Sequence, residues 1–189
     1  VGRHTNPTAF RDDIVAYVKA GGRLIVLPQE SAFSLTTGLP EPDAKHVASR
    51  VWERTSQHPI VQSFDGEQFS YWRPDHITSK FNFTKMSVGG LRYLLDCGGL
   101  AGMDWSPLVE APLGSGTMLL CQMRVIDGLN DEPMAGALLE AMIQYALQYK
   151  APTHHPLRLL ANSDAVVQVL KGAGVAYTKQ LQGEGTILV

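Results

Sequence analysis

The sequence predicts an α/β fold with a mostly parallel sheet and an antiparallel hairpin at its edge. The first observation is a helical pattern that ends at Gly21 and Gly22 and leads straight into the apolar run of residues 24–27. A helix, a glycine turn and a buried strand form half of a parallel α/β unit. The second observation is a matching apolar run at residues 117–123, followed by a long amphipathic helix. The third is that the strand–helix–strand rhythm returns after residue 156.

Composition and charge limit the classes of protein to consider. The chain has 189 residues, of which 44% are hydrophobic and 18% charged, as in an ordinary soluble globular protein. A net charge of −2 predicts neither nucleic acid nor an anionic membrane as a partner, and no apolar run approaches the ~20 residues of a membrane span. Cys97 and Cys121 lie in or beside apolar runs and are predicted to be two buried thiols. The compartment stays open, because such a soluble chain could be cytoplasmic or exported.

The first predicted helix begins at Asn6, a residue type that caps helix N-termini, and Pro7. Its predicted apolar face has four members at helical spacing: Phe10, Ile14, Tyr17 and Val18. Gly21 is predicted to end the helix in the left-handed conformation. The parallel partner of the next strand should then precede Asn6, where only residues 1–5 remain, and the chain begins with Val1. We therefore expect this chain to be a piece of a longer polypeptide.

Residues 31–90 carry weaker signals. Residues 44–52 are compatible with a short helix, and three aromatic residues cluster farther on: Phe69, Tyr71 and Trp72. A long irregular segment with clustered aromatic residues is typical of a lid, a binding loop or an interface, and equally of a small satellite core.

The elements after this segment are predicted more clearly. Residues 91–97 form a strand, and residues 107–111 and 117–123 form an antiparallel hairpin around a five-residue loop that contains two glycines. Asp131 is predicted to cap the long helix that follows, with Pro133 in its first turn. The apolar stripe of this helix has five members: Met134, Leu138, Met142, Tyr145 and Tyr149.

A proline-rich linker at residues 151–156 separates two parts of the chain. The elements predicted after it are a strand at 157–161, a helix from 163 or 164 to 170, and strands at 175–177 and 186–189. These residues are too few for an independent core. They either complete the first domain or begin a second one, so the predicted domains are residues 1–150 and 151–189.

No complete catalytic set is visible in the sequence. An acyl-transfer enzyme of this fold class places its nucleophile on a strand-to-helix elbow, whereas Ser115 lies in a predicted hairpin loop. Cys97 ends a strand but has no recognisable histidine partner, and Glu30 follows the first strand at the edge where α/β sheets place their sites. Three further carboxylates cannot be paired from the sequence: Asp75, Asp104 and Glu110. No catalytic residue is predicted outright, and Glu30 and Cys97 are the candidates.

The sequence predicts neither a metal site nor a cofactor. His154 and His155 lie in the proline-rich linker, and the other four histidines show no ligand spacing. The glycine pairs do not extend to a nucleotide-binding fingerprint between a strand and a helix.

Aromatic side chains indicate a saccharide contact as an alternative use of the surface. Trp52, Trp72 and Trp105 could form a stacking platform with Tyr71, because aromatic faces suit the apolar faces of pyranose rings. Burial of these rings in the core is the competing explanation. The predicted ligand contacts are Trp72, Tyr71 and Gln29, the last at the end of the first apolar strand.

A resemblance to a known family joins several of these patterns. Residues 17–24 read Tyr-Val-Lys-Ala-Gly-Gly-Arg-Leu and lead into an apolar strand that ends at Gln29, which resembles the class I glutamine-amidotransferase-like fold. Four later segments fit the same family in order: 58–60, 107–110, 114–116 and 119–122. The chain is most similar to the version that accompanies bacterial glycoside hydrolases, which includes the trimerisation domain of some β-galactosidases. The similarity covers roughly residues 8–150.

The resemblance implies a function without glutaminase chemistry. Amidotransferases of this family carry a cysteine elbow and a downstream His-x-Glu, and this sequence has neither. What remains implied is a three-layer, flavodoxin-like fold that serves as an accessory or oligomerisation domain of a glycoside hydrolase. Its implied partners are other domains of a larger chain, further copies of itself and a saccharide. Two alternatives stay open: a hydrolase in its own right and a saccharide-binding module.

Overall fold

The computed structural model describes residues 7–29, 38–43, 45–87, 90–100, 102–152, 157–160, 164–172, 177–179 and 187–188. The chain divides into two compact units, Val1–Ala151 and Pro152–Val189. Both units contain helices and strands, which agrees with the predicted mixed α/β class. None of the described helices combines the length and the apolar character needed to cross a bilayer.

The elements are numbered in chain order. The helices are α1 (Arg11–Lys19), α2 (Pro133–Gln148) and α3 (Asp164–Gly172), with short 3-10 helices at Pro7–Phe10 and Gly66–Phe69. The strands of the first unit are β1 (Arg23–Val26), β2 (Val47–Ala48), β3 (Trp52–Glu53), β4 (Ser79–Lys80), β5 (Phe83–Thr84), β6 (Arg92–Gly99), β7 (Gly102–Leu113) and β8 (Gly116–Cys121). The strands of the second unit are β9 (Leu157–Leu159), β10 (Tyr177–Thr178) and β11 (Ile187–Leu188).

Most strand pairs of the larger sheet are antiparallel, which corrects the predicted, mostly parallel arrangement. The strand order is β1-β8-β7-β6-β3, and β5 also pairs with β7. β1 and β8 run parallel, with Ile25 beside Leu119, and the other four described pairs are antiparallel. Connectivity explains the difference, because β6, β7 and β8 follow one another through short turns and a parallel pair needs a crossover of a dozen or more residues. The β7–β8 hairpin therefore lies inside the sheet and not at its edge.

α1 ends in a Schellman motif, as its glycine pair predicts. The Gly22 N–H donates to the Tyr17 carbonyl at 2.9 Å, closing the six-residue turn. The Gly21 N–H donates to the Val18 carbonyl, also at 2.9 Å. Gly21 has a φ of +105°, in the left-handed region that glycine adopts without strain.

The N-terminal half of α1 differs from its prediction. The α-helix starts at Arg11, after the 3-10 turn, and its N-cap Phe10 makes no side-chain hydrogen bond. Val18 is buried as predicted, but Phe10 and Tyr17 are 56% and 58% exposed, so the predicted apolar face is only partly right. The predicted cap, Asn6, lies outside the described residues.

The turn of the β7–β8 hairpin packs against the α1–β1 corner. This turn has two residues, Gly114 and Ser115, where the sequence predicts a loop of five. The Ser115 N–H donates to the Lys19 carbonyl at 3.1 Å. A Cβ atom at Gly116 would lie 2.1 Å from the Gly22 carbonyl oxygen. The close approach of the two backbones therefore depends on glycine at position 116.

The sheet buries both of its faces. Met118 and Leu120 of β8 belong to a core cluster with Val18 of α1. Leu119, between them, belongs to a second cluster with Leu138 of α2. Because successive side chains of a strand point to opposite faces, α1 and α2 cover opposite faces of the sheet.

α2 begins one residue later than its predicted cap implies. Glu132, and not Asp131, is the N-cap, and its carboxylate accepts a hydrogen bond from the Met134 N–H at 3.1 Å. The predicted stripe is confirmed, with Tyr145 partly buried and four residues buried: Met134, Leu138, Met142 and Tyr149. This stripe fastens α2 to the sheet.

The irregular segment contributes to the core and also to the surface. The helix predicted at 44–52 is wrong, because β2 and β3 occupy this stretch. Phe69 and Trp72 are buried in the core cluster beneath α2, whereas Tyr71, between them, is 53% exposed. Phe69 and Trp72 therefore belong to the main core and not to a separate satellite core. A lid, binding loop or interface at Tyr71 stays a prediction.

The second unit is a small parallel α/β structure. β9 lies between β10 and β11 and pairs in parallel with both. α3 follows β9 along the chain, as the sequence predicts. The unit therefore has the α/β rhythm expected after the linker.

Candidate functional site

The predicted catalytic candidates fall in different environments. Glu30 lies outside the described residues. Cys97 lies on β6 and has no exposed surface. Burial raises the pKa of its thiol to about 12, with a further contribution from the negative charge of Asp96. Cys121 on β8 is also buried, and burial raises its pKa to about 12. Because the thiolate is the reactive form, both cysteines are inert near neutral pH, in agreement with two buried thiols.

The thiols give a direct test of this packing. In the native protein at pH 8, we expect neither Cys97 nor Cys121 to react with Ellman's reagent over minutes, because both are buried with a raised pKa. In urea both thiols should react at once. A thiol that titrates rapidly in the folded protein would contradict the placement of at least one of them.

Gln29 holds the ends of two strands together. Its backbone N–H donates to Gln122 Oε1 at 3.2 Å, and its own side-chain amide donates to the Leu27 carbonyl at 2.8 Å. The two glutamines that end the apolar runs therefore meet where β1 and β8 end. The sequence predicts Gln29 as a ligand contact and gives no sign of these hydrogen bonds to Gln122 and Leu27.

A dense polar arrangement surrounds the Glu110 carboxylate, in the C-terminal half of β7. Glu110 is fully buried. Its Oε1 accepts hydrogen bonds from the hydroxyls of Tyr145, at 2.6 Å, and Thr117, at 3.1 Å. Its Oε2 accepts from Arg92 Nη1 at 3.1 Å and faces His58 Nε2 at 3.3 Å. We call these five residues the Glu110 cluster.

The tautomer of His58 follows from its second hydrogen bond. The Ile60 N–H donates to His58 Nδ1 at 3.2 Å, so Nδ1 carries no proton. Nε2 therefore carries a ring proton and donates it to Glu110. The His58 and Tyr145 rings also contact each other, with centroids 4.7 Å apart.

Four donors fill the acceptor capacity of this carboxylate. An ionised carboxyl group has about four lone-pair sites, and the Glu110 cluster supplies four hydrogen bonds. Burial by itself would raise the pKa of Glu110, but the hydrogen bonds from His58 and Tyr145 and the electrostatic attraction of His58 and Arg92 lower it to about 2. The group is therefore ionised at neutral pH and has no lone pair left for a substrate proton.

The five residues of the Glu110 cluster come from five parts of the fold, with Glu110 itself on β7. Arg92 lies on β6, Thr117 on β8, Tyr145 on α2 and His58 in the turn after β3. Sequence reasoning named Glu110 only as an unpaired carboxylate and missed its partners. The one local signal was a charged residue inside the apolar run at 107–111, which in a buried strand requires partners.

The stability of the protein should fall as acid protonates Glu110. Its folded pKa, about 2, is lower than the model-compound value of 4.5, so its contribution is complete above pH 4.5 and is lost as the pH falls towards 2. We expect the free energy of urea unfolding to drop over this interval, and to drop less in Glu110→Gln. If the free energy of unfolding fell equally with pH in both proteins, Glu110 would have no such role.

A second feature is an open surface cleft of about 600 Å³, which we call the aromatic cleft. Its lining includes Arg50, Trp52, Glu53, Asp65, Glu67 and Tyr71. β3 supplies Trp52, and the turn after the second 3-10 helix supplies Tyr71. Trp52 and Tyr71 are 38% and 53% exposed.

No family model, no curated protein and no solved structure matches the chain. The resemblance to the class I glutamine-amidotransferase-like family therefore stays a prediction.

The tryptophans expected to form one platform have separate environments. Trp72 is 2% exposed and donates from Nε1 to the Gln68 carbonyl at 2.9 Å, so it offers no free ring face. Trp105 stacks on His46, with centroids 4.0 Å apart. Of the predicted saccharide contacts, Tyr71 lines the aromatic cleft and is joined there by Trp52. Among the described residues, no group of three or more His, Cys, Asp or Glu side chains could hold a metal ion.

Proposed function

We propose that the chain is a non-catalytic accessory domain of a carbohydrate-active protein that contains a glycoside hydrolase. In this proposal it acts through its surfaces, towards other domains of the larger chain or further copies of itself. The observation that carries the proposal is the saturation of Glu110 by four donors. In this proposal the Glu110 cluster stabilises the packing of α2 on the sheet, through the hydrogen bond from Tyr145 to Glu110.

Two further observations support an architectural role. Cys97, the candidate nucleophile of the competing hydrolase hypothesis, is buried as a neutral thiol. α1 and α2 contribute to core clusters on opposite faces of the sheet, which favours the three-layer, flavodoxin-like arrangement that the resemblance implies. In this proposal the chain is a variant of that arrangement, because β6, β7 and β8 pair antiparallel.

Two measurements test the proposal. Sequencing the native reading frame around this chain should find a glycoside hydrolase module in the same frame, and deleting this domain should change the oligomeric state or activity of that parent. The isolated chain should not turn over nitrophenyl glycosides or nitrophenyl esters. Turnover that Glu30→Gln or Cys97→Ala abolishes in a still-folded chain would overturn the proposal in favour of a hydrolase.

A further inference from the structure

We propose that the aromatic cleft binds a neutral saccharide. The choice of ligand class rests in part on the proposed function, and the site itself rests on the geometry of the cleft. Its volume of about 600 Å³ lies within the range of small-molecule sites.

Two exposed rings supply the apolar part of the site. Large aromatic side chains are usually well buried, and Trp72, the residue after Tyr71, is an example. Trp52 and Tyr71, in contrast, are both exposed at the same cleft. The axial C–H groups of a pyranose make one face of the sugar apolar. That face can cover an indole or phenol ring and remove it from water.

The backbone of Tyr71 is held in an unfavourable conformation. Its φ is +56°, in the left-handed region that tyrosine rarely adopts, and its N–H is fixed by a 2.7 Å hydrogen bond to the Ser49 carbonyl. Strain retained under an exposed side chain indicates that the direction of that side chain matters. Here the conformation places the Tyr71 ring at the cleft.

Unpaired carboxylates supply the polar part of the site. Among the described residues, the side chains of Glu53 and Glu67 make no hydrogen bond and no ion pair, and both line the cleft. A carboxylate can accept hydrogen bonds from two adjacent sugar hydroxyls. The Arg50 guanidinium lies over the Trp52 ring, with its carbon 5.0 Å from the ring centroid, and provides donors there. A sugar would therefore cover the Tyr71 ring and the part of Trp52 that stays exposed.

The charge and polarity of the lining exclude other ligand classes. Three carboxylates, those of Glu53, Asp65 and Glu67, outnumber the single positive charge of Arg50, so an anionic ligand would be repelled. A wholly apolar ligand would desolvate these carboxylates without pairing them. A basic peptide is the remaining competitor, because these carboxylates would attract its charges, and titration with pentalysine distinguishes it from a sugar.

The test is calorimetric titration of the 189-residue chain with neutral tetrasaccharides of β-linked glucose, xylose, mannose and galactose. At least one should bind saturably at millimolar or lower concentration, and tetragalacturonate should bind more weakly than its neutral counterpart. Trp52→Ala should weaken binding about tenfold or more, which is the loss expected for one stacked ring.

Tyr71→Gly separates binding from folding. It removes the second ring and also relieves the left-handed strain, so it should lose affinity while its Tm stays unchanged or rises. The matched control is Tyr17→Ala, which deletes an exposed tyrosine outside the cleft and should leave affinity unchanged. Equal losses in Tyr17→Ala and Tyr71→Gly would contradict the site.

Other outcomes would overturn the proposal. These are no binding of any neutral tetrasaccharide, equal binding of tetragalacturonate, or tighter, salt-sensitive binding of pentalysine, which would identify a peptide site. If the reading frame contains a glycoside hydrolase but no sugar binds, only the cleft proposal is contradicted. If sugar binds but the reading frame contains no hydrolase, the accessory-domain proposal is contradicted and the chain is a free-standing binding module.

Discussion

Replacing Glu110 with alanine should lower the free energy of unfolding by about 3–5 kcal/mol, the range for removing one partner of a buried charged pair. Glu110 is fully buried, and the substitution leaves four donors without their acceptor. Arg92 can turn to water because its side chain is about half exposed. His58 is buried and cannot, so most of the loss should come from buried groups left unpaired and from the cavity.

Glu110→Gln separates charge from shape. Glutamine has nearly the same volume, but its amide nitrogen cannot accept, so one pair of donors loses its partner and about 2–3 kcal/mol should be lost. Glu140→Gln, an exposed position on α2, is the control and should change stability by less than about 0.5 kcal/mol. Urea unfolding followed by circular dichroism measures all three variants. If Glu110→Gln were as stable as Glu140→Gln, the cluster would not hold the fold together.

Gly116→Ala should cost about 3 kcal/mol, at the upper end of the range for overpacking. The added methyl group would lie 2.1 Å from the Gly22 carbonyl oxygen and 2.2 Å from the Val18 carbonyl oxygen. Both are backbone atoms, so relief requires the α1–β1 corner to move away from β8. Loss of the adjacent β1–β8 pairing should accompany the loss of stability.

Gly136→Ala is the matched control. Gly136 lies in the interior of α2, and a methyl group there would meet only Leu129 Cδ2, at an ordinary 3.8 Å. Because alanine is a better helix former than glycine, this variant should gain up to about 1 kcal/mol. The same chemical change is thus expected to act in opposite directions at the two sites. Amide hydrogen exchange of β1 would show whether Gly116→Ala opens this edge, and unchanged protection with unchanged stability would contradict the prediction.

Features encoded by short stretches of the chain could be predicted. The glycine pair predicted the stop of α1, and the observed Schellman motif closes at Gly21 and Gly22. The stripe of α2 is visible in its helical spacing, and its members are buried. The glycines around Ser115 predicted a hairpin, although the turn is shorter than expected. In each case the signal lies within a few residues, where backbone geometry and periodicity act.

Features that join distant segments could not be predicted. An unbroken apolar run indicates a buried strand, but it does not state the direction of its neighbour, so β6 and β7 were not recognised as antiparallel partners. The aromatic residues at 69–72 look alike in sequence, yet Trp72 enters the core and Tyr71 remains at the surface. Their separation depends on what packs beneath the segment.

The α/β class, the α1–β1 corner, the β7–β8 hairpin and the stripe of α2 can be predicted from sequence, because hydrophobic periodicity and turn chemistry are local. The strand directions and the partners of Glu110 depend on tertiary contacts. Tyr145 lies 35 positions from Glu110 and His58 lies 52, and a hydrogen bond carries no mark in the sequence of either residue. The same holds for the aromatic cleft, where Trp52 and Tyr71 meet only after the segment between them has folded.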